Sequence, residues 1–128
     1  MSDGSWELQQ AVYAALDAAL SVPVYDFAPS NAAFPYVTIG EATIVDVGTK
    51  SHTGTEHTIT VHAWSRYRGR KETKQILGQI YDALHEQTLN VSGFGFVMCR
   101  LDFSESFMDE DGLTFHGVAR YRVVLNES

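Results

Sequence analysis

Thr55-Glu56-His57-Thr58-Ile59-Thr60-Val61-His62-Ala63-Trp64-Ser65 carries the clearest alternation of the chain. Ile59, Val61 and Ala63 alternate with Thr58, Thr60, His62 and Trp64. Successive strand side chains point to opposite faces, so this alternation makes one apolar and one mixed face. A helical pattern follows over 69–87, where Ile76, Leu77, Ile80, Tyr81 and Leu84 form one apolar stripe. A strand with one apolar face and a helix with one apolar stripe both lose water contact by stacking. The expected architecture is therefore a helical layer on a sheet.

Working outward, residues 36–47 read as a strand, with Gly40 as a bulge or a point of close approach. The segment 48–54 reads as a polar connection longer than a tight hairpin turn. Residues 94–104 read as a third strand, with Phe94, Phe96 and Met98 on one face and Val97, Cys99, Leu101 and Phe103 on the other. Apolar residues on both faces predict a central strand, or one covered by a partner. Residues 113–125 alternate as a fourth strand. Asp109-Glu110-Asp111-Gly112 reads as its hairpin turn, with Gly112 taking a positive φ. At the start, 5–20 reads as a helix capped by Ser5, with Leu8, Val12, Leu16 and Leu20 every fourth residue. Pro23 ends it, because the residue before a proline is pushed out of the helical region. Residues 22–35 read as loop with a short extended piece at 24–27. The order α-β-β-α-β-β predicts a single α+β domain, residues 1–128. Four antiparallel strands carry both helices on one face, and the other face is left for solvent or another subunit.

The 128 residues carry 16 acidic and 9 basic side chains, a net charge of −7. That balance counts against wholesale phosphate-backbone binding. Five of the basic residues, Arg66, Arg68, Arg70, Lys71 and Lys74, nevertheless fall within one stretch of nine, interleaved with Tyr67. They sit at the start of the second helix, the unfavourable end for positive charge. A solvated face, a protein interface and a nucleic-acid contact all fit such a cluster. One cysteine excludes an intramolecular disulfide and points to a reducing compartment. No apolar run is long enough for a membrane span, and Met1-Ser2-Asp3-Gly4 has no signal-peptide character, so a soluble protein made in the cytoplasm is expected.

The five histidines show no metal-ligand spacing, and His57 and His62 are expected on opposite faces of their strand. The acidic run lacks calcium-loop spacing. No phosphate-cradling glycine loop or nucleophile elbow is present, and Cys99 reads as a buried small hydrophobe. No catalytic residue, metal or cofactor is expected. A small ligand-binding or regulatory domain that dimerises through its open sheet fits the pattern, and so does a nucleic-acid module using the basic cluster.

Three stretches together resemble one family. Phe34-Pro35-Tyr36-Val37-Thr38-Ile39-Gly40-Glu41 is similar to the start of that family's first long strand. His57 to Ser65, followed by Gly69 and the helix bearing Ile76, Ile80 and Leu84, resembles its second strand and helix. Asp109 to Gly117, leading into Ala119-Arg120-Tyr121-Arg122-Val123, resembles its closing hairpin. The family is the tail-terminator, or tail-completion, group of long-tailed phages, prophages and gene transfer agents. The chain departs from it at His62, where members often carry an acid.

The resemblance implies a structural protein of the virion at the head–tail junction. It would form a hexameric ring that caps the tail tube, stops elongation and joins a head–tail connector (stopper or adaptor) protein. DNA would pass through its lumen without sequence-specific binding. On that reading the loops 48–54 and 104–112 reach a neighbouring subunit or the tube. The interface residues expected are Arg66, Arg68, Arg70, Lys71, Lys50, His52, Phe107, Met108, Asp109, Glu110 and Asp111, with the arginines pairing acids such as the 109–111 turn of an adjacent subunit.

Overall fold

A computed structural model describes residues 2–127. Helix α1 spans Ser5–Ala19 and helix α2 spans Lys71–Leu84. The strands are β1 (Val24–Tyr25), β2 (Tyr36–Asp46), β3 (Gly54–Ser65), β4 (Phe94–Met108) and β5 (Phe115–Glu127). They form one sheet in the order β1-β2-β3-β5-β4. The expected four antiparallel strands are present, but the sheet has five strands and is mixed. Two residues of the 22–35 segment, Val24 and Tyr25, pair in parallel with Val37 and Thr38. So short an edge strand carries no alternation from which to read it.

Ile59, Val61 and Ala63 are buried on the face that both helices cover. Val37 and Ile39 of β2 and Ala119, Tyr121, Val123 and Leu125 of β5 join them there. Leu8, Val12 and Leu16 of α1 and Ile76, Ile80 and Leu84 of α2 fill the core from the other side. Gly117 brings α2 close to β5. A Cβ placed on it would lie 2.9 Å from Thr73 Cγ2 and 3.0 Å from Leu77 Cδ1. Cys99 is buried in this core, and burial pushes its thiol up to about 12, so it stays protonated and inert.

Ser5 is not the cap of α1. Gly4 occupies the cap position at φ 85°, and Asp3 Oδ1 accepts from the Ser5 N–H (2.9 Å) and hydroxyl (2.7 Å). A carboxylate at the positive end of the helix does the work expected of the hydroxyl. Helix α2 is also shorter than the 69–87 pattern, because Gly69 at φ 86° breaks it before Lys71 and His85 turns extended after Leu84.

The third expected strand differs most. β4 runs to Met108 rather than residue 104, so the expected 104–112 loop shrinks to the turn around Asp109–Gly112. Gly112 sits at φ 69° and donates to Asp109 O at 3.1 Å, as a turn glycine should. Register shifts at Phe96/Met98 and Leu101/Phe103 insert an extra residue twice. Each bulge flips the alternation. Phe96, Cys99 and Leu101 therefore face the core together, while Met98 and Phe103 lie on the other face. β4 is also an edge strand, not a central one. The 48–54 connection is tighter than expected: Val47 N–H donates to Gly54 O (3.0 Å) and Thr49 N–H to His52 O (2.7 Å), closing the hairpin almost to its tip.

Thr73 Oγ1 is buried without a hydrogen-bond partner beside Gly117. Two substitutions at this contact should act in opposite directions. Gly117→Ala overpacks it and should cost about 1–3 kcal/mol in denaturant melts. Thr73→Val keeps the shape, removes the unsatisfied hydroxyl, and should gain about 1 kcal/mol.

Candidate functional site

Both helices pack on one face of the sheet, so the opposite face carries no helix. That face is organised by register. Tyr36 lies opposite Trp64, Trp64 opposite His116, and His116 opposite Phe107. One row across four strands is thus aromatic throughout. The Trp64 and His116 rings stack at 3.8 Å, Phe107 lies 4.9 Å from His116, and Tyr36 lies 6.3 Å from Trp64. Phe34 and Tyr25 extend the row beyond Tyr36. Trp64 Nε1 donates to Thr38 Oγ1 at 3.0 Å, which fixes the indole. Cross-strand aromatic pairs stabilise a sheet by roughly 0.2–1 kcal/mol each. Here they also hold a rigid surface that is half-buried rather than covered.

Beside the row runs a chain of polar contacts. Glu41 Oε1 is 2.9 Å from His62 Nε2, His62 Nδ1 is 2.8 Å from His116 Nε2, and His116 Nδ1 is 3.3 Å from Asp109 Oδ1. Filling all three contacts would take three ring protons on two imidazoles. The hydrogen bond from His62 holds the Glu41 carboxyl below its ordinary value. Burial lowers the affinity of His116 for a proton, with Asp109 opposing. The register shift between Ile39 and Ala42 confirms Gly40 as a bulge and brings Glu41 within reach of His62. Gly40 also leaves room for the ring: a Cβ there would lie 2.7 Å from His62 Cδ2 and Nε2.

His57 and His62 do point to opposite faces. His57 is buried on the core side, 3.0 Å from Thr55 Oγ1. Among the described residues, no three His, Cys, Asp or Glu side chains gather where they could hold one metal ion.

Nine of the expected interface residues gather at one end of the sheet: Arg66, Arg68, Arg70 and Lys71 after β3, and Phe107 through Asp111 at the end of β4. Lys50 and His52 lie at the opposite end, on the β2–β3 hairpin. Arg66 is already engaged within its own chain. Its Nε donates to Thr114 Oγ1 (3.2 Å), its guanidinium lies 3.7 Å from Asp111 Oδ2, and it stacks 4.3 Å over the Phe34 ring. The Asp111 carboxyl is held down to about 2 by the Thr114 hydroxyl and the Leu113 and Thr114 N–H groups, with Arg66 adding to them. Arg70 approaches the Phe115 ring at 5.5 Å. The arginine-to-turn pairing expected between subunits is thus made inside one chain for Arg66, while Arg68 stands exposed.

Reasoning from sequence missed the aromatic row and the His62–His116 pair, because their members are far apart in the chain. One signal was present. Trp64 and His62 lie on the non-core side of β3, where exposed threonines would have sufficed.

The helix-free face thus carries an ordered aromatic row with charged residues at its edge. The family model described as "Tail completion protein gp17" matches residues 8–126. The tail completion protein gp17 of Bacillus phage SPP1 is 33% identical over 95 residues, 74% of this chain and 70% of that protein. The chain therefore belongs to the tail completion protein gp17 family. The solved structure of bacteriophage SPP1 gp17 superposes with a TM-score of 0.67 at 26% identity, covering 95% of this chain and 91% of that one. A chain in the virion of a native gene transfer agent particle shares the fold with a TM-score of 0.87 at 21% identity, covering 98% and 99%.

Gly40→Ala tests the histidine chain. The added methyl should displace the His62 ring and release Glu41. The slowly exchanging imidazole N–H resonance of a His–His hydrogen bond should then be lost from the proton spectrum, with a stability cost of about 1–3 kcal/mol.

Proposed function

We propose that this protein completes a phage-type tail as a hexameric ring. The ring sits on the finished tail tube, stops further polymerisation, and presents a surface to the head–tail connector protein at the head–tail junction of the virion. DNA passes through its lumen. The observation that carries this reading is the helix-free sheet face with its aromatic row, in a chain belonging to a family of tail completion proteins. A row of ordered rings on an uncovered face is suited to burial against a protein surface, since rigid aromatics lose little conformational entropy on docking.

Charge supports the same reading. At −7 the chain repels a DNA duplex on the whole, which favours sliding over retention in a lumen. The exposed Arg68, Arg70 and Lys71 offer a local contact for an acidic protein surface on a neighbouring subunit or the connector. The Asp109–Asp111 turn and the Lys50–His52 hairpin tip lie at opposite ends of the sheet. On this reading they meet different neighbours. A dimerising regulatory domain draws no support from the relatives found.

Particles made without this gene should carry overlong tails or tails detached from heads in negative-stain images. Tails of normal length joined to filled heads would overturn the proposal. Reversing Arg68 and Arg70 to Glu, with Arg66 left in its internal contacts, should lower the yield of joined particles about tenfold through lost charge complementarity. An unchanged yield would reduce the cluster to a solvated face.

A further inference from the structure

We propose that copies of this chain join edge to edge, β2 of one copy pairing antiparallel with β4 of the next, with Ile44 seated opposite Ser104. This rests on the ring reading above and assigns its subunit contact.

Each end of the sheet has an open stretch. β1 pairs only with Val37 and Thr38, so the outer edge of β2, away from β3, has no strand beside it from Gly40 to Asp46 among the described residues. At the other end, the two residues that follow α2 close part of the β4 edge. The Glu86 N–H donates to Cys99 O at 2.8 Å, and His85 Nδ1 accepts from the Leu101 N–H at 3.0 Å. Past the bulge at Asp102, Phe103–Met108 lies beyond this cover. Both open stretches carry exposed apolar side chains: Ile44, Val45 and Val47 at one, Phe103 and Met108 at the other. Natural edges that stay unpaired avoid this combination.

Direction favours the match. The pairs β2–β3, β3–β5 and β5–β4 are all antiparallel. β2 and β4 therefore run in opposite senses, and a second copy in the same orientation sets its β2 antiparallel to β4. Register is chosen by faces. Ser104 and Ser106 point to the helix side, where a groove of about 440 Å³ opens between β4 and α2, lined by Leu77, Gly78, Tyr81 and Leu101. Small serines leave room for a larger incoming side chain. With Ile44 opposite Ser104, Ala42 meets Ser106, Val45 meets Phe103 and Thr43 meets Glu105. A one-residue slip puts every side chain on the wrong face. A two-residue slip sets Glu105 against Glu41 in one direction, or Asp46 in place of Ile44 against Ser104 in the other.

A closed ring can absorb the stagger. Within one chain Ser104 lies level with Ala119, Val61 and Ile39. Ile44 is level with His57, four residues along β3 from Val61 (61 − 57 = 4). That is about 13 Å along the strands, over the four strand spacings from one β2 to the next, about 19 Å. Strands tilted by roughly 35° absorb it, near the tilt of closed barrels. The two edges differ, so the contact is heterologous and closes by rotation.

Thr43 and Glu105 are both exposed and would face each other across the joint, about 5 Å apart at Cβ. Cys99 is buried and stays silent. The Thr43→Cys/Glu105→Cys double variant is oxidised mildly, free and on tail tubes, and followed by native mass measurement and non-reducing gels. It should convert to cross-linked rings. Either single variant alone should not cross-link, and a mixture of the two should stop at dimers. Ile44→Arg should weaken assembly at least about tenfold and leave the monomer melting midpoint unchanged. Rings that form without cross-linking overturn the edge pairing and leave the ring reading standing. Cross-linked open chains without closed rings support the pairing and overturn the ring. No assembly in any form overturns both.

Discussion

The structure depends on one constraint: β3 is a middle strand with two different faces. Ile59, Val61 and Ala63 meet both helices, while His62 and Trp64 meet other sheet residues. Because β2 and β5 pair with β3 in register, the same division passes to them. Val37 and Ile39 go in with Val61 and Ala63, and Tyr36 and His116 come out beside Trp64. The core and the helix-free face are two sides of one alternation. A change that slipped β3 by one residue would exchange them.

Function follows from leaving the second face without a helix. A two-layer fold this small buries its apolar surface once, on the helical side. The uncovered face must then be stabilised by its own side chains, and the aromatic row does this through ring stacking and the Trp64–Thr38 hydrogen bond. The His62–His116 contact ties β3 to β5 on the same face, with Glu41 and Asp109 at its ends. Such a face is held by contacts among its own side chains.

Much of this was legible in the residues. The stripe Ile76, Ile80 and Leu84 and the alternation around Val61 place α2 and β3 correctly, and Gly40 and Gly112 mark the bulge and the turn. β4 was misread for a physical reason. Its two bulges shift the phase of the alternation, so Phe96 and Met98 seem to share a face when Phe96 and Leu101 do. β1 was legible only as an extended piece, because two residues have no period. The site was less visible still. Arg66 stands out as part of a basic cluster, but its partners Thr114 and Asp111 come from 45 or more positions away.

What is local or periodic could be read from the residues alone: one domain, two amphipathic helices, the long strands and the lone buried cysteine. The sequence also carried the family resemblance, since the order of short stretches along the chain is a one-dimensional property. Only the tertiary structure decided which edge β4 occupies, where the sheet lies open, and which aromatics and histidines meet. Those are consequences of strand order and register. Both arise from long-range hydrogen bonding between segments that carry no mark of their partner, and a single bulge is enough to change which side chains face each other.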